Sequence, residues 1–131
     1  GRMARLLGDL SAAFERIKTG LGPAWRQTVV VAATEFGRTA RPNGALGTDH
    51  GYGSAAFIAG GAVNGGKVVA DWPGMSQQAL FEGRDLMATM DMRALLKGVL
   101  GDHLRVSRQA LDARVFPESA AMRPIFDIIR H

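Results

Sequence analysis

The chain has 131 residues, of which 47% are hydrophobic and 21% are charged, and it contains no cysteine. This composition excludes an intrinsically disordered chain, because enough apolar surface is present to offset the chain entropy, and it excludes a disulfide scaffold. The net charge is only +4, and the sequence has neither a block of like charges nor an apolar run close to the roughly 20 residues of a membrane span, so we expect neither a nucleic-acid partner nor a membrane span.

The first segment is predicted to be an amphipathic helix that ends at Gly20, Gly22 and Pro23. Because Gly1-Arg2-Met3 is not a natural translation start and no signal peptide precedes the helix, we expect a fragment that forms a single partial domain over residues 1–131. The apolar residues of the helix recur at intervals of three and four along one face: Met3, Leu6, Leu7, Leu10, Phe14 and Ile17.

Two apolar segments are predicted to be strands of one sheet. Thr28–Ala33 is a continuous β-branched run without alternation, which is typical of a central strand in a parallel sheet with helices on both faces. Ala55–Ala59 is predicted to be a second strand, and Ala62–Val69 a hairpin that turns at Asn64-Gly65. The expected fold class is therefore α/β, with a mostly parallel sheet flanked by helices.

The C-terminal part is predicted to contain two capped helices. Asp91 is expected to cap a helix that runs through Leu104, and Ser107 a short helix that runs through Leu111. His103 lies near the end of the first of these helices, where a structural role is expected from the preference for cations there. Pro124–His131 is predicted to be a mixed tail, and His131 carries no signal of a site.

A long polar, glycine-rich loop over residues 34–54 joins the two predicted strands. Loops of this length are usually functional or disordered, and ligands of open α/β sheets bind beyond the carboxyl ends of the strands. Glu35 needs a metal, a cation or backbone amides as its partner there. Gly37 permits a tight turn or a close approach to a ligand, and Arg38 offers a planar fork for a carboxylate, sulfate or phosphate. The alternative is a Glu35–Arg38 ion pair that only orders the loop.

Later in the same loop, Asp49 and His50 supply oxygen and imidazole ligands that suit zinc, manganese or iron. Glycines on both sides allow close approach to an ion or anion. The alternative is a turn that the Asp49 side chain stabilises, with an exposed His50. Arg84 either approaches this site or pairs with Asp85, and the sequence leaves both options open.

Four motifs in the same order resemble the C-terminal part of the domain of unknown function 1501 family: VVVAATEFGRT, GTDHGYGSAAFIAGGAVNGGKVVADWPG, GRDLMATMDMRALLKGVL and ARVFPES. Proteins of that family are bacterial, are often exported through the twin-arginine route, and are similar to the alkaline phosphatase and sulfatase superfamily. The resemblance covers nearly the whole chain. It implies a C-terminal fragment of an alkaline phosphatase-like sandwich.

In that superfamily a buried strand ends in a small residue followed by Asp-His-Gly, whose Asp and His bind metal. By resemblance, Glu35 stands where the Asp would be and Phe36 where the His would be, and phenylalanine cannot ligate a metal. His50 fits the place of a further superfamily histidine, although an alternative register puts Asp49-His50-Gly51 on the motif itself. The resemblance thus implies Glu35, Asp49 and His50 as metal ligands and Arg38 as the clamp on the transferred anionic group.

The function that the resemblance implies is metal-dependent hydrolysis of a phosphate or sulfate ester, on a small molecule or a polymer. The cofactor would be a divalent ion such as zinc, manganese or calcium, and the location the periplasm or cell envelope. The superfamily's nucleophile comes from earlier strands, so we expect this chain alone to be inactive. Phe36 motivates an alternative, a non-catalytic binding or cell-envelope protein that keeps the scaffold; a basic nucleic-acid-associated domain is the weakest alternative.

Overall fold

The computed structural model describes residues 1–130, so His131, to which the sequence assigns no role, lies outside the described residues. As the sequence predicts, no helix within residues 1–130 is long and apolar enough to cross a membrane. In chain order the elements are α1 (Arg2–Leu21), a 3-10 helix (Gly22–Gln27), β1 (Val30–Ala32), β2 (Gly37–Arg38), β3 (His50–Gly51), β4 (Phe57–Ala59), α2 (Met92–Leu104), α3 (Arg108–Ala110) and a π-helical turn (Leu111–Val115).

The first helix confirms both the predicted amphipathic segment and its end. Gly22 has a φ of 52°, a left-handed conformation that glycine adopts without steric cost, and its N–H donates to the carbonyl of Lys18. No residue of α1 is buried, and its apolar face stays largely exposed, with Met3 at 60% and Leu6 at 49%. The pattern that predicts this helix therefore does not say what its apolar face packs against.

The strands form two antiparallel pairs, so the predicted mostly parallel sheet flanked by helices, and with it the alkaline phosphatase-like sandwich, is wrong. β1 pairs with β4, with Val31 opposite Ile58, and β2 pairs with β3. A parallel pair needs a crossover connection, usually a helix. The chain between β1 and β4 contains no helix, only β2, β3 and irregular backbone, and it returns antiparallel to β1. The three residues of β1 are only half-buried, so the apolar run is not covered on both faces.

The segment Ala62–Val69 does not form the predicted hairpin, because its backbone groups form hydrogen bonds with the C-terminal segment instead of with each other. Val63 forms an isolated antiparallel bridge with Ile129. The side-chain amide of Asn64 donates to the carboxylate of Asp127 at 2.7 Å, so this residue binds across the molecule instead of turning a hairpin. A distant segment thus overrides a local turn signal.

Both predicted helix caps in the C-terminal part are confirmed. A carboxylate oxygen of Asp91 accepts from the backbone N–H of Arg93 at 2.8 Å, and Ser107 Oγ accepts from the N–H of Ala110 at 3.2 Å. The hydrogen bond from the Arg93 side chain lowers the pKa of Asp91, and the cap therefore stays charged near neutral pH. His103 lies in the last turn of α2, as expected.

The buried apolar core lies around α2 and the C-terminal segment. A Cβ at Gly98 would collide with the carbonyl of Ile125, so α2 and this segment touch backbone to backbone. Ile125 also donates its N–H to the carbonyl of Ala94 at 3.0 Å. The buried hydrophobic residues are Val63, Leu80, Val99, Leu111, Ile128 and Ile129.

A buried lysine holds α2 against the segment that follows it. Lys97 is 0% exposed, and its ammonium group donates to Asp112 Oδ1 at 2.5 Å, to the carbonyl of Ser119 at 2.6 Å and to that of Met122 at 3.3 Å. Arg108 donates to the other oxygen of the same carboxylate at 2.6 Å. The Lys97 hydrogen bond, reinforced by Arg108, lowers the pKa of Asp112. All three protons of the ammonium group thus have acceptors, which is the condition for burying such a charge.

We predict that Lys97→Met lowers the free energy of unfolding by about 3 kcal/mol, because it removes one of the two donors to each of the Ser119 and Met122 carbonyls and leaves Asp112 with a single cation. Lys18→Met is the matched control, since Lys18 is 53% exposed and its contact with Glu15 is 3.9 Å long. We expect the control substitution to change the free energy of unfolding by less than about 0.5 kcal/mol. Urea denaturation measures both, and equal effects of the two variants would contradict a structural role for Lys97.

Candidate functional site

Three chain segments meet in a small backbone-paired layer, which we call the ribbon: residues 37–40, 49–53 and 84–86. Arg38 N–H donates to the carbonyl of Gly53 at 2.9 Å, and the carbonyl of Arg38 accepts from Leu86 N–H at 3.1 Å. Gly53 N–H in turn donates to the carbonyl of Leu86 at 2.7 Å. The long polar loop is therefore folded on itself and fixed by a third, distant segment.

Glycines make this layer possible because its segments touch backbone to backbone. A Cβ at Gly51 would lie 2.6 Å from the carbonyl carbon of Arg38, and one at Gly53 would lie 2.6 Å from the carbonyl oxygen of Leu86. Gly37 is buried, and a Cβ there would collide with the backbone of the β3 segment. The close approach that the sequence predicts at Gly37 is thus made to the protein's own backbone.

The two loops that carry the predicted site residues come together through an aromatic contact. The rings of Phe36 and His50 are stacked, with centroids 4.5 Å apart and planes 16° from parallel. Arg38 is the register partner of His50 in the β2–β3 pair. Glu35 directly precedes Phe36 in the chain. Glu35, Arg38 and His50 are all solvent-exposed, as a binding surface requires.

Asp49 is held in place by polar partners in its own loop. Its Oδ1 accepts from Asn43 Nδ2 at 2.7 Å, and its N–H donates to Thr39 Oγ1 at 3.2 Å. The side-chain oxygen of Asn43 accepts from the N–H groups of Ala45 at 3.0 Å and Gly47 at 3.1 Å. Asn43 therefore organises the loop tip, a role that the sequence prediction missed although Pro42-Asn43-Gly44 is typical of a turn.

Arg84 takes the second of the two options left open by the sequence, since it pairs with Asp85. Its guanidinium donates to both carboxylate oxygens, at 2.6 and 3.1 Å, and Asp85 is only 4% exposed. This pairing raises the pKa of Arg84, with smaller contributions from the charges of Glu82 and Asp49.

Two further cations on this surface have no acidic partner within residues 1–130. Arg38 Nη1 donates to the carbonyl of Thr48 at 3.0 Å, so the alternative Glu35–Arg38 ion pair does not form. Arg41 Nη2 donates to the side-chain oxygen of Gln77 at 3.1 Å. Both guanidinium groups are oriented by neutral acceptors and keep their charge available to an anion. Arg41 was not predicted, because its position beside the site depends on a partner 36 residues away.

The residues expected to hold a divalent ion carry chemically suitable donor atoms, namely carboxylate oxygens and imidazole nitrogens. Among residues 1–130 no three His, Cys, Asp or Glu side chains converge closely enough to hold a metal. One oxygen of Asp49 is already bound to Asn43, and the His50 ring is packed against Phe36. The role of Glu35, Asp49 and His50 as metal ligands stays a prediction.

The ribbon thus carries Arg38, Asp49 and His50, with Glu35 and Arg41 in the chain directly beside it. A model of the protein family described as protein of unknown function (DUF1501) matches residues 1–117. The chain belongs to this family, as the resemblance of its motifs predicts. Comparisons with curated proteins and with solved structures gave no match.

We predict that Gly51→Ala opens the ribbon, because its methyl group must push the backbone of Arg38 away. The expected loss of unfolding free energy is about 2 kcal/mol, with loss of the contact between the Phe36 and His50 rings. Gly44→Ala is the matched control, since a Cβ there meets no atom within 4 Å. Denaturation and the ring-proton shifts of His50 measure the effect, and an intact His50 environment in Gly51→Ala would contradict the role given to this glycine.

Proposed function

We propose that this chain supplies the anion-binding side of a phosphate- or sulfate-ester hydrolase, as its resemblance to the alkaline phosphatase and sulfatase superfamily implies. The single observation that carries the proposal is the β2–β3 register, which sets Arg38 opposite His50 with Phe36 stacked on the imidazole. The proposal rests on this arrangement of side chains and their charges. It does not rest on a parallel sheet, which the antiparallel registers overturn.

The charges of the surface support an anionic substrate. Arg38 and Arg41 have neutral hydrogen-bond partners and no carboxylate within 4 Å among residues 1–130. A phosphate or sulfate group matches the planar fork of a guanidinium and can accept two parallel hydrogen bonds from it. Arg38 would hold the anionic group of the ester and stabilise the charge that develops on its oxygens in the transition state.

His50 is the group on this surface that could exchange a proton with the ester. Its ring is fixed by the stack on Phe36, while the ring edge remains exposed. An imidazole nitrogen can donate or accept a hydrogen bond, which suits transfer of a proton to or from a leaving group. In the metal-dependent form of the proposal, Glu35, Asp49 and His50 would contribute ligands to a divalent ion. The periplasm or cell envelope is the location that goes with this proposal, by family resemblance.

A second candidate function is a non-catalytic protein that binds an anionic ligand in the cell envelope. Two observations favour it: Phe36 occupies the position of a ligand histidine in the resemblance, and no set of three metal-binding side chains converges within residues 1–130. Binding without turnover would need only the oriented guanidinium groups. The two candidates therefore differ in whether an ester is consumed.

We predict that Arg38→Gln lowers kcat/KM of the full protein for nitrophenyl phosphate or nitrophenyl sulfate by about 100-fold, because it removes a charged donor to the transition state. Arg114→Gln is the control, since Arg114 is an exposed arginine outside the ribbon. Initial rates with zinc or manganese added measure both. Absence of turnover by the wild type under all these conditions would favour the binding-only candidate, and equal rates for wild type and Arg38→Gln would remove Arg38 from the site.

The metal-dependent form predicts that His50→Ala lowers the amount of zinc or manganese bound to the full protein, because one ligand is lost. His103→Ala is the control, since His103 lies in the last turn of α2 and outside the ribbon. Metal content after dialysis against equal metal concentrations measures the difference. The same content in wild type and His50→Ala would remove His50 from the ligand set.

A further inference from the structure

A second basic surface lies away from the ribbon, in an open cleft of about 500 Å³ at the C-terminal end of α2. Its walls come from four separate segments: the 3-10 helix, residues 61–62, the last turn of α2 with Arg105, and residues 129–130. This volume is within the range of about 300 to 1,000 Å³ that is typical of small-molecule sites. The residues around it are mostly polar and charged, so its ligand would be hydrophilic.

Backbone contacts fix the shape of this cleft. Gly61 N–H donates to the carbonyl of Trp25 at 3.0 Å, and Arg130 N–H donates to the carbonyl of Ala62 at 2.8 Å. A Cβ at Gly61 would lie 2.5 Å from the Cα of Arg26, so the first two segments are in direct backbone contact. The cleft is therefore held open by the fold itself and does not depend on loosely packed side chains.

The charge in the cleft is strongly unbalanced. Arg26, Arg105 and Arg130 line it together with His103, and Asp102 is the only acidic side chain among the lining residues. Within residues 1–130 none of these three arginines has a carboxylate within 4 Å. An anion that enters the cleft therefore meets an excess of positive charge.

Two of these arginines are held by the backbone in ways that point to a role. Arg130 Nε donates to the carbonyl of Val63 at 2.8 Å, which orients its guanidinium and leaves the terminal nitrogens for a ligand. Arg105 follows the last residue of α2 in the left-handed conformation, with a φ of 57°. Glycine is favoured at that position, and an arginine there carries a steric cost that a glycine would avoid. A side chain placed at such a position is a reason to look for a function.

We propose that this cleft binds a small molecule through a doubly charged oxyanion of the phosphate-ester type. One carboxylate would neutralise only one of the three guanidinium groups, whereas a phosphate monoester carries close to two negative charges and three acceptor oxygens. The remaining volume of the cleft holds the rest of the molecule. The site shares no residue with the ribbon, so it stands independently of the proposed hydrolase function.

The test uses methyl phosphate as the probe and acetate as the singly charged comparison, at about pH 7.5 where the phosphate is a dianion. Amide chemical shifts of the 15N-labelled chain are followed during each titration at constant ionic strength. We expect saturable shifts at residues 26–27, 61–62 and 102–105 with methyl phosphate, and affinity at least tenfold weaker for acetate.

The decisive variant is Arg105→Gly, which removes a guanidinium and places the favoured residue at the left-handed position. We expect it to weaken methyl phosphate binding about tenfold or more without lowering the melting temperature, so that loss of folding cannot explain the result. Arg26→Gln should weaken binding to a similar degree, while Arg16→Gln on the exposed face of α1 should leave it unchanged.

Three results would overturn the proposal. The first is the absence of saturable shifts at the cleft residues. The second is equal weakening by Arg16→Gln and by the two cleft variants, which would mean that only the overall positive charge attracts the anion. The third is equal affinity for acetate and methyl phosphate, which would exclude recognition of the double charge.

Discussion

Backbone-to-backbone contact at glycine is the constraint on which both charged surfaces of this protein depend. In the ribbon, Gly51 and Gly53 let three segments approach so closely that a single methyl group would not fit between them. Beside the cleft, Gly61 does the same for the 3-10 helix. The charged side chains of the ribbon and of the cleft are attached to backbone that is fixed by these close contacts. A polar loop can thereby present oriented arginines without a large apolar core beneath it.

The C-terminal part of the fold depends on a different interaction, the burial of a charged lysine. Lys97 joins α2 to the carboxylate of Asp112 and to two backbone carbonyls of the following segment. Because all its protons are bound, the ammonium group is satisfied and the segment is directed back along α2. That path leads the chain to Ile128 and Ile129 in the core and to Arg130 in the cleft. The hydrogen bonds of Lys97 therefore help to position the C-terminal residues that line the cleft.

The helices could be predicted from the sequence because their signals are local. The apolar spacing of α1, the glycine after it, and the caps Asp91 and Ser107 are all read within a few residues, and the structure confirms them. Two of the four strands, β1 and β4, could be located, but their direction could not; β2 and β3 lie in the segment predicted to be a loop. A continuous apolar run such as that around Val31 is equally compatible with an antiparallel partner, and only the pairing with Ile58 decides the matter. The prediction of a hairpin at Asn64 is wrong for a similar reason, since the distant Asp127 binds the Asn64 side chain.

The site residues, like the secondary-structure elements, could be predicted only where their signals are local in the sequence. Arg38, Asp49 and His50 could be singled out because they lie in one polar loop between two apolar segments. Arg41 and the three arginines of the cleft could not, because each becomes part of a surface only when distant segments meet. Spacing along the chain carries no information about such meetings. The roles assigned to the predicted residues remain proposals, whereas their placement on one ribbon is a feature of the fold.

The central claim is that the Glu35 and His50 loops are held side by side by antiparallel pairing of Gly37 with Gly51. Nuclear Overhauser spectroscopy of the chain tests it most directly. The account predicts cross-peaks between the ring protons of Phe36 and His50 and between the α-protons or amides of Gly37 and Gly51. Absence of both sets of cross-peaks in a folded sample, with the two loops each in contact with other parts of the chain, would contradict it.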